Sequence, residues 1–220
     1  MRGAVVAALA AALCPLAHAA HEAETPPGET SYRFEAPPPG SYELPPIDHV
    51  SEHELLAEDG NPTPLLDLAP SEAALVSFVY LSCGEACPLA TATLHRIDRL
   101  LADDAELAPH VQLVTVSFDP ARDTPERMRD LAERLHPSGR WRFLTAPDRA
   151  ALEPVLADFG QDAVWIPGPE QAKAPDRLRH VLKVFLVDGE RRVRNIYSTG
   201  LLDVRLVLND LRTVLGEARQ

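Results

Sequence analysis

Between Ala74 and Leu101 the chain passes from an unbroken apolar run, through a turn bearing two cysteines, into a helical pattern. Few folds accommodate that succession. Ala74-Leu75-Val76-Ser77-Phe78-Val79 reads as a buried strand, and Leu89 to Leu101 as a helix with apolar positions Leu89, Thr93, Ile97, Leu100 and Leu101. Cys83-Gly84-Glu85-Ala86-Cys87-Pro88 lies between them. A strand-to-helix turn exposes a thiol, and the N-terminus of the following helix favours its thiolate. The two sulfurs therefore either exchange electrons or hold a metal.

The rest of the chain continues the alternation. Val111 to Val116 reads as a second strand, and Thr124-Pro125-Glu126 opens a helix with a capping hydroxyl, a proline at the first helical position and an acid in the first turn. A short helix is expected from Asp148 to Phe159. Residues 160–179 contain Pro167, Gly168, Pro169 and Pro175 without periodicity and read as a long loop. Val181–Val187 and Val193–Ser198 form a hairpin about Asp188-Gly189, and Asp203 to Leu215 closes as an amphipathic helix. A further edge strand is expected near Leu65 to Leu68. The order is that of an α/β, thioredoxin-like fold with an extra helix: a central mixed sheet with helices on both faces.

Residues 1–19 carry the marks of an export signal: Arg2 as the positive region, Ala4 to Ala12 as the apolar stretch, and Ala17-His18-Ala19 as the cleavage site. The expectation is an exported, periplasmic or extracytoplasmic protein, which meets a membrane only if the leader stays uncleaved. Cys14 falls within the leader, and the bulky Leu13 before it suits a lipidation signal poorly. Residues 20–46, with Pro26-Pro27, Pro37-Pro38-Pro39-Gly40 and Pro45-Pro46, read as a semi-extended tether. Residues 47–220 form the domain. The formal charge of −12 becomes −13 once Arg2 is removed, which argues against nucleic acid or an anionic membrane surface as partner. A disulfide across the short Cys83–Cys87 loop would remove little chain entropy, so it would be a poor structural staple.

Cysteines at i and i+4 on a first helical turn place their Cβ atoms about 6 Å apart on one face. They can converge on one metal through bonds of about 2.3 Å, or close a disulfide if the turn departs from regular helix. Spacing alone does not decide. Thiolates select Cu(I), and one imidazole would complete a three-coordinate site that also holds Cu(II). Of the histidines in the mature chain, His95 is about 12 Å along the helix from Cys87 and too far to share an ion with it. His21, His49 and His53 lie on or near the tether, and His110 and His136 at helix–loop junctions; these read as solvated. His180 ends the long loop and starts a strand, a junction that lies beside the cysteine turn in a thioredoxin-like sheet.

Three segments resemble the SCO/SenC family, the copper-binding, thioredoxin-fold accessory proteins of cytochrome oxidase assembly. They are Phe78 to Pro88; Val116-Ser117-Phe118-Asp119-Pro120-Ala121-Arg122-Asp123-Thr124-Pro125-Glu126; and His180 before Phe185-Leu186-Val187-Asp188-Gly189. Gly40-Ser41-Tyr42-Glu43-Leu44-Pro45 also resembles the family's lead-in to the domain. The resemblance implies that Cys83, Cys87 and His180 bind copper, Cu(I) or Cu(II), with Asp119 in the surround. It implies as partner the copper-bearing subunit of cytochrome c oxidase, with another periplasmic copper chaperone as a second. The chain departs from the family where Gly84-Glu85 stands for the common Pro-Asp, and where Arg179, rather than Asp, precedes the histidine.

The competing reading is a thiol–disulfide oxidoreductase that reduces the oxidase copper-site cysteines through Cys83 and Cys87, with Cys83 as the attacking thiol. The Cys-x-x-x-Cys spacing differs from the Cys-x-x-Cys of general oxidoreductases, and His180 stands where those carry a cis-proline. The motif's flanks do not suit a peroxiredoxin. A structural zinc site wants four ligands, and three are identified. A metallochaperone needs no turnover chemistry, so the chain is read as a carrier rather than an enzyme.

Overall fold

The apolar run is the structural centre. Strand β4, Ala73–Val79, is buried along its whole length, as expected of a strand covered on both faces. It shares a sheet with β1 (Asp48–His49), β5 (Val111–Ser117), β6 (Trp141–Leu144), β9 (Lys183–Asp188) and β10 (Arg192–Ser198). The order of this six-stranded sheet is β1-β10-β9-β4-β5-β6. The computed structural model describes residues 35–82, 86–166, 177–179, 181–198 and 202–218, with backbone alone at 86–89, 165–166 and 177–179. The compact unit runs from Ala36 to Gln220.

β4 pairs parallel with β5, in register from Ala73↔Val111 to Val79↔Ser117, and antiparallel with β9, from Ala73↔Asp188 to Ser77↔Val184. The parallel neighbour requires a crossover, which helix α1 (Ala86–Ala102) supplies. Alternate side chains of the strands point to opposite faces, and two cores result. One packs Leu75, Leu113, Phe143 and Leu186 against Leu94 and Ile97 of α1, Met128 of α2 (Pro125–Leu135), and Val207, Leu211 and Val214 of α4 (Val204–Glu217). The other packs Val76, Phe78, Val116 and Phe185 against Leu152 and Val155 of α3 (Arg149–Asp158), with Val50, Leu55 and Leu65 from the N-terminal segment. This is the expected mixed sheet with helices on both faces. No helix among the described residues is long and apolar enough to cross a membrane.

Four local expectations are corrected. Leu65 to Leu68 is not a strand: the pairing lies just before it, between β2 (Glu54–Leu56) and β3 (Pro62–Pro64). Leu65 is instead buried against the second core. The 160–179 segment contains a small antiparallel pair, β7 (Val164–Ile166) and β8 (Arg177–Arg179). Strand β6 is an element that the sequence pattern does not announce. Thr124 holds the N-cap position of α2 with extended backbone, but its side chain makes no capping hydrogen bond.

Residues 37–44, within the Pro-rich stretch, are hydrogen-bonded to the domain. The Pro37 carbonyl accepts from Asn209 Nδ2 at 2.9 Å, and Gly40 N–H donates to Thr213 Oγ1 at 2.9 Å. The Tyr42 hydroxyl donates to Asp210, a buried carboxylate that also accepts from Tyr197 and Asn195.

Candidate metal centre

The sheet register brings the described residues that flank the expected ligands to one end of the sheet. β4 ends at Val79 and the chain enters the cysteine turn. Because β9 runs antiparallel to β4 with Val184 opposite Ser77, the segment just before β9 arrives at that same end. His180 precedes Lys183, the first residue of β9, by three positions. β5 is parallel to β4 with Ser117 opposite Val79, so Phe118-Asp119-Pro120 leaves at this end too. Cys87 lies in the first turn of α1. Cys83 and His180 lie outside the described residues. Among the described residues no group of three or more His, Cys, Asp or Glu is placed to hold a metal ion. The donor set of two thiols and one imidazole suits copper in either common oxidation state.

What the structure describes in full is the frame around the turn. Phe118 N–H donates to the Val79 carbonyl at 2.7 Å, extending the β4–β5 ladder by one residue. Leu81 N–H, two residues before Cys83, donates to Asp123 Oδ2 at 3.0 Å. The Ser117 hydroxyl donates to the same oxygen at 2.7 Å and accepts from Asp119 N–H at 2.9 Å. Asp119 and the stem of the cysteine turn are thereby joined through two side chains. Asp119 is buried, at 4% exposure, and its Oδ2 accepts from Arg122 Nη1 at 3.0 Å. Asp119 also closes a turn, its carbonyl accepting from the Arg122 and Asp123 N–H groups at 3.0 and 2.8 Å.

Asp123 is fully buried. Burial pushes its carboxyl above the ordinary range, against the hydrogen bonds from Ser117 and Leu81. Among the described residues Oδ1 has no hydrogen-bond partner, and the Arg127 guanidinium stands 3.8 Å from it. Sequence reasoning passes over Ser117 and Asp123. The available signal is a serine closing a buried strand, with an acid six positions on.

Beneath the turn, on the α3 side, lies an aromatic floor. Phe78 stands 5.3 Å from Phe118 and 5.2 Å from Phe159, ring centre to ring centre, and Phe159 stands 4.9 Å from Phe185. Phe78, Phe159 and Phe185 meet edge to face, the arrangement their quadrupoles favour. At the rim, Lys183 Nζ donates to the Gly160 carbonyl at 3.3 Å, tying the start of β9 to the end of α3. Val181, at the approach to β9, is 60% exposed.

A sheet of this order, with a Cys-x-x-x-Cys turn between its central strand and first helix, defines a thioredoxin-like domain with a paired-thiol site. The SCO1/SenC family profile matches residues 43–216. The chain belongs to the SCO1/SenC family. No curated protein matches it. Solved structures with the same fold include a SCO1/SenC family lipoprotein from Bacillus anthracis, at 20% identity and TM-score 0.66, covering 79% of this chain and 99% of that one. ScoI of Arabidopsis thaliana, solved with copper bound, is similar at 20% identity and TM-score 0.61, over 78% of this chain and 98% of that one. ScoI of Bradyrhizobium japonicum, also with copper bound, is similar at 20% identity and TM-score 0.62, over 76% and 99%.

Proposed function

We propose that this protein is an exported copper metallochaperone. It holds one copper ion on Cys83, Cys87 and His180 and serves assembly of the binuclear copper site of cytochrome c oxidase. The observation that supports this reading is the antiparallel register of β4 and β9, which brings the residues leading into the cysteine turn and those following His180 to one end of the sheet. Family membership supports it, since two related ScoI proteins are solved with copper bound. Another relative, BsSco, is described as a member of the Sco family of cytochrome c oxidase assembly proteins. Copper is the cargo. The chain's own residues supply soft donors, an aromatic floor, and a rim through which an acceptor can approach. The leader, residues 1–19, would place it outside the cytoplasm, with the Pro-rich stretch ahead of Ala36 as tether and the compact unit from Ala36 as carrier domain. The oxidase's copper-bearing subunit is the proposed acceptor, and a periplasmic copper chaperone the proposed donor.

A second reading, reduction of the oxidase's copper-site thiols by Cys83 and Cys87, draws support from BsSco, for which a disulfide switch is described. The two roles share the same sulfurs, and copper binds only their reduced form.

Anaerobic titration of the reduced mature protein with Cu(I) and with Cu(II), beside Cys83→Ser and His180→Ala, separates them. Even changes in groups behind metal ligands weaken binding by roughly 10- to 100-fold, so loss of a ligand should weaken it at least about 100-fold. Stoichiometric binding that falls in both variants is the expected result. Equal affinity in wild type and His180→Ala would remove the histidine from the site. Absence of tight copper binding beside a measurable Cys83–Cys87 potential would establish the thiol reductant instead.

A further inference from the structure

The turn that carries Cys83 has two stems. On the helix side, α1 is fixed by Ala90, Leu94, Ile97 and Leu101, all buried. On the strand side, the ladder to β5 ends with Phe118 N–H on the Val79 carbonyl. Beyond it, Leu81 N–H bonds not to backbone but to Asp123 Oδ2, at 3.0 Å. That oxygen also takes the Ser117 hydroxyl at 2.7 Å. A fully buried carboxylate, whose Oδ1 has no hydrogen-bond donor among the described residues and lies 3.8 Å from the Arg127 guanidinium, is an expensive way to hold a loop. Buried polar groups are normally fully partnered, so a carboxylate placed here asks for a reason.

We propose that Asp123 is a positioning residue for the cysteine turn: its carboxylate fixes the strand-side stem at Leu81 and so sets how readily Cys83 and Cys87 are brought together. The inference concerns the site of the proposed copper function but needs no copper. Closing the disulfide removes two protons and two electrons from the two thiols. Glutathione disulfide, as the oxidant, becomes two molecules of glutathione. That equilibrium depends on the effective concentration of one thiol near the other, which falls when the loop joining them is released at one end. Loosening the stem should make the disulfide easier to reduce.

The test is the equilibrium of the metal-free mature protein with glutathione, in wild type, Asp123→Ala and Asp123→Asn, with amide hydrogen exchange at Leu81 as the direct reading of the bond. Asparagine keeps an oxygen able to accept both bonds and removes the charge. Asp123→Ala should lose protection at Leu81 and shift the equilibrium toward the dithiol about tenfold, equivalent to about 30 mV for two electrons. Asp123→Asn should keep the protection and stay within about threefold of wild type, because geometry and not charge is the cause. A folded Asp123→Ala with wild-type redox equilibrium overturns the proposal. So does an equal shift in both variants, which would make the effect one of charge. If Asp123→Ala does not fold, Ser117→Ala removes one of the carboxylate's two donors and should give a smaller shift in the same direction; no shift there is equally fatal. A protein that binds no copper but behaves this way would sink the copper reading and leave this one standing.

Discussion

Replacing Arg194 with methionine should cost roughly 3 kcal/mol of stability. Arg194, on β10, is 6% exposed and ties three parts of the chain together. Its Nη1 donates to Asp188 Oδ2 at 2.9 Å, its Nη2 to the Glu217 carboxylate at the end of α4, and its Nε to the Leu44 carbonyl. Methionine keeps most of the apolar length and removes all three donors. Breaking a buried pair from one side typically costs about 3–5 kcal/mol because a charge is left uncompensated. Here Asp188 is not orphaned. It still accepts from Arg192 Nε at 2.8 Å and from the Glu190 and Arg192 backbone N–H groups at 3.0 and 2.9 Å. Glu217, 35% exposed, can turn to water. The low end of the range therefore applies. For a chain of this size each kcal/mol moves Tm by about 2–4 °C, so a drop of about 6–12 °C should accompany it. Urea unfolding at pH 7 measures the difference directly. Its pH dependence is a second check. Burial alone would raise the Asp188 carboxyl, but the Arg192 backbone N–H and the Arg194 and Arg192 guanidiniums together hold it below the usual range. A depressed carboxyl stabilises above its unfolded value and loses that stabilisation as pH falls through its folded one, so the gap between wild type and variant should shrink below about pH 4. A cost under about 1 kcal/mol at pH 7 would mean that desolvation of Arg194 offsets its bonds. A gap unchanged in acid would mean that Asp188 is not the partner that matters.

Tyr42 is raised to about 12 by burial and by its hydrogen bond to Asp210. A raised group stabilises below its unfolded value and loses that contribution as pH climbs through its folded one. Urea stability should therefore fall between about pH 10 and 12, and less steeply in Tyr42→Phe; identical slopes would show that Tyr42 does not titrate with folding. Phe78→Ala, which empties the centre of the aromatic floor, should cost about 3–5 kcal/mol in urea unfolding, and a cost near 1 kcal/mol would mean the floor collapses into the space.

The elements read correctly from sequence are those whose burial imposes a long pattern. β4, β5 and the β9–β10 hairpin carry enough consecutive apolar residues to declare themselves. So does the turn between the last two: a Cβ on Gly189 would lie 2.3 Å from the Ala69 carbonyl oxygen, so the approaching chain admits only glycine. β6 is four residues long, and β7 and β8 three each, too short for a period of two to stand out. The prolines of the 160–179 segment further mask the β7–β8 pairing. Of the proposed site, the cysteine turn and the His180 junction stand out in sequence because ligand chemistry restricts residue type, and Cys83 and His180 lie outside the described residues. Asp119 is legible as part of a motif. Asp123 is not, because its role is a bond to a backbone N–H at Leu81, and any residue but proline can offer a backbone N–H. Sequence shows the acceptor without showing what it accepts from.

The direction of β9 explains why the acids of this domain divide their work. Because β9 runs antiparallel to β4, the segment entering it lies at the cysteine end and the segment leaving it at the opposite end. The proposed ligand His180 stands just before that strand in the sequence. Asp188, the last residue of β9, is sent to the far end, where it closes a turn and anchors Arg194. β5 runs parallel to β4, so its trailing acids, Asp119 and Asp123, fall beside the cysteine turn. Buried carboxylates thus serve different ends of the same central strand, with no hydrogen-bond partner shared between Asp123 and Asp188 among the bonds described. Perturbations at sites so separated add nearly independently. Arg194→Met should lower stability and leave the Cys83–Cys87 equilibrium with glutathione where it was, whereas Asp123→Ala should move that equilibrium whatever it does to stability. Were Arg194→Met to shift the thiols as far as Asp123→Ala does, the control of the turn would belong to the sheet as a whole and not to the bond at Leu81.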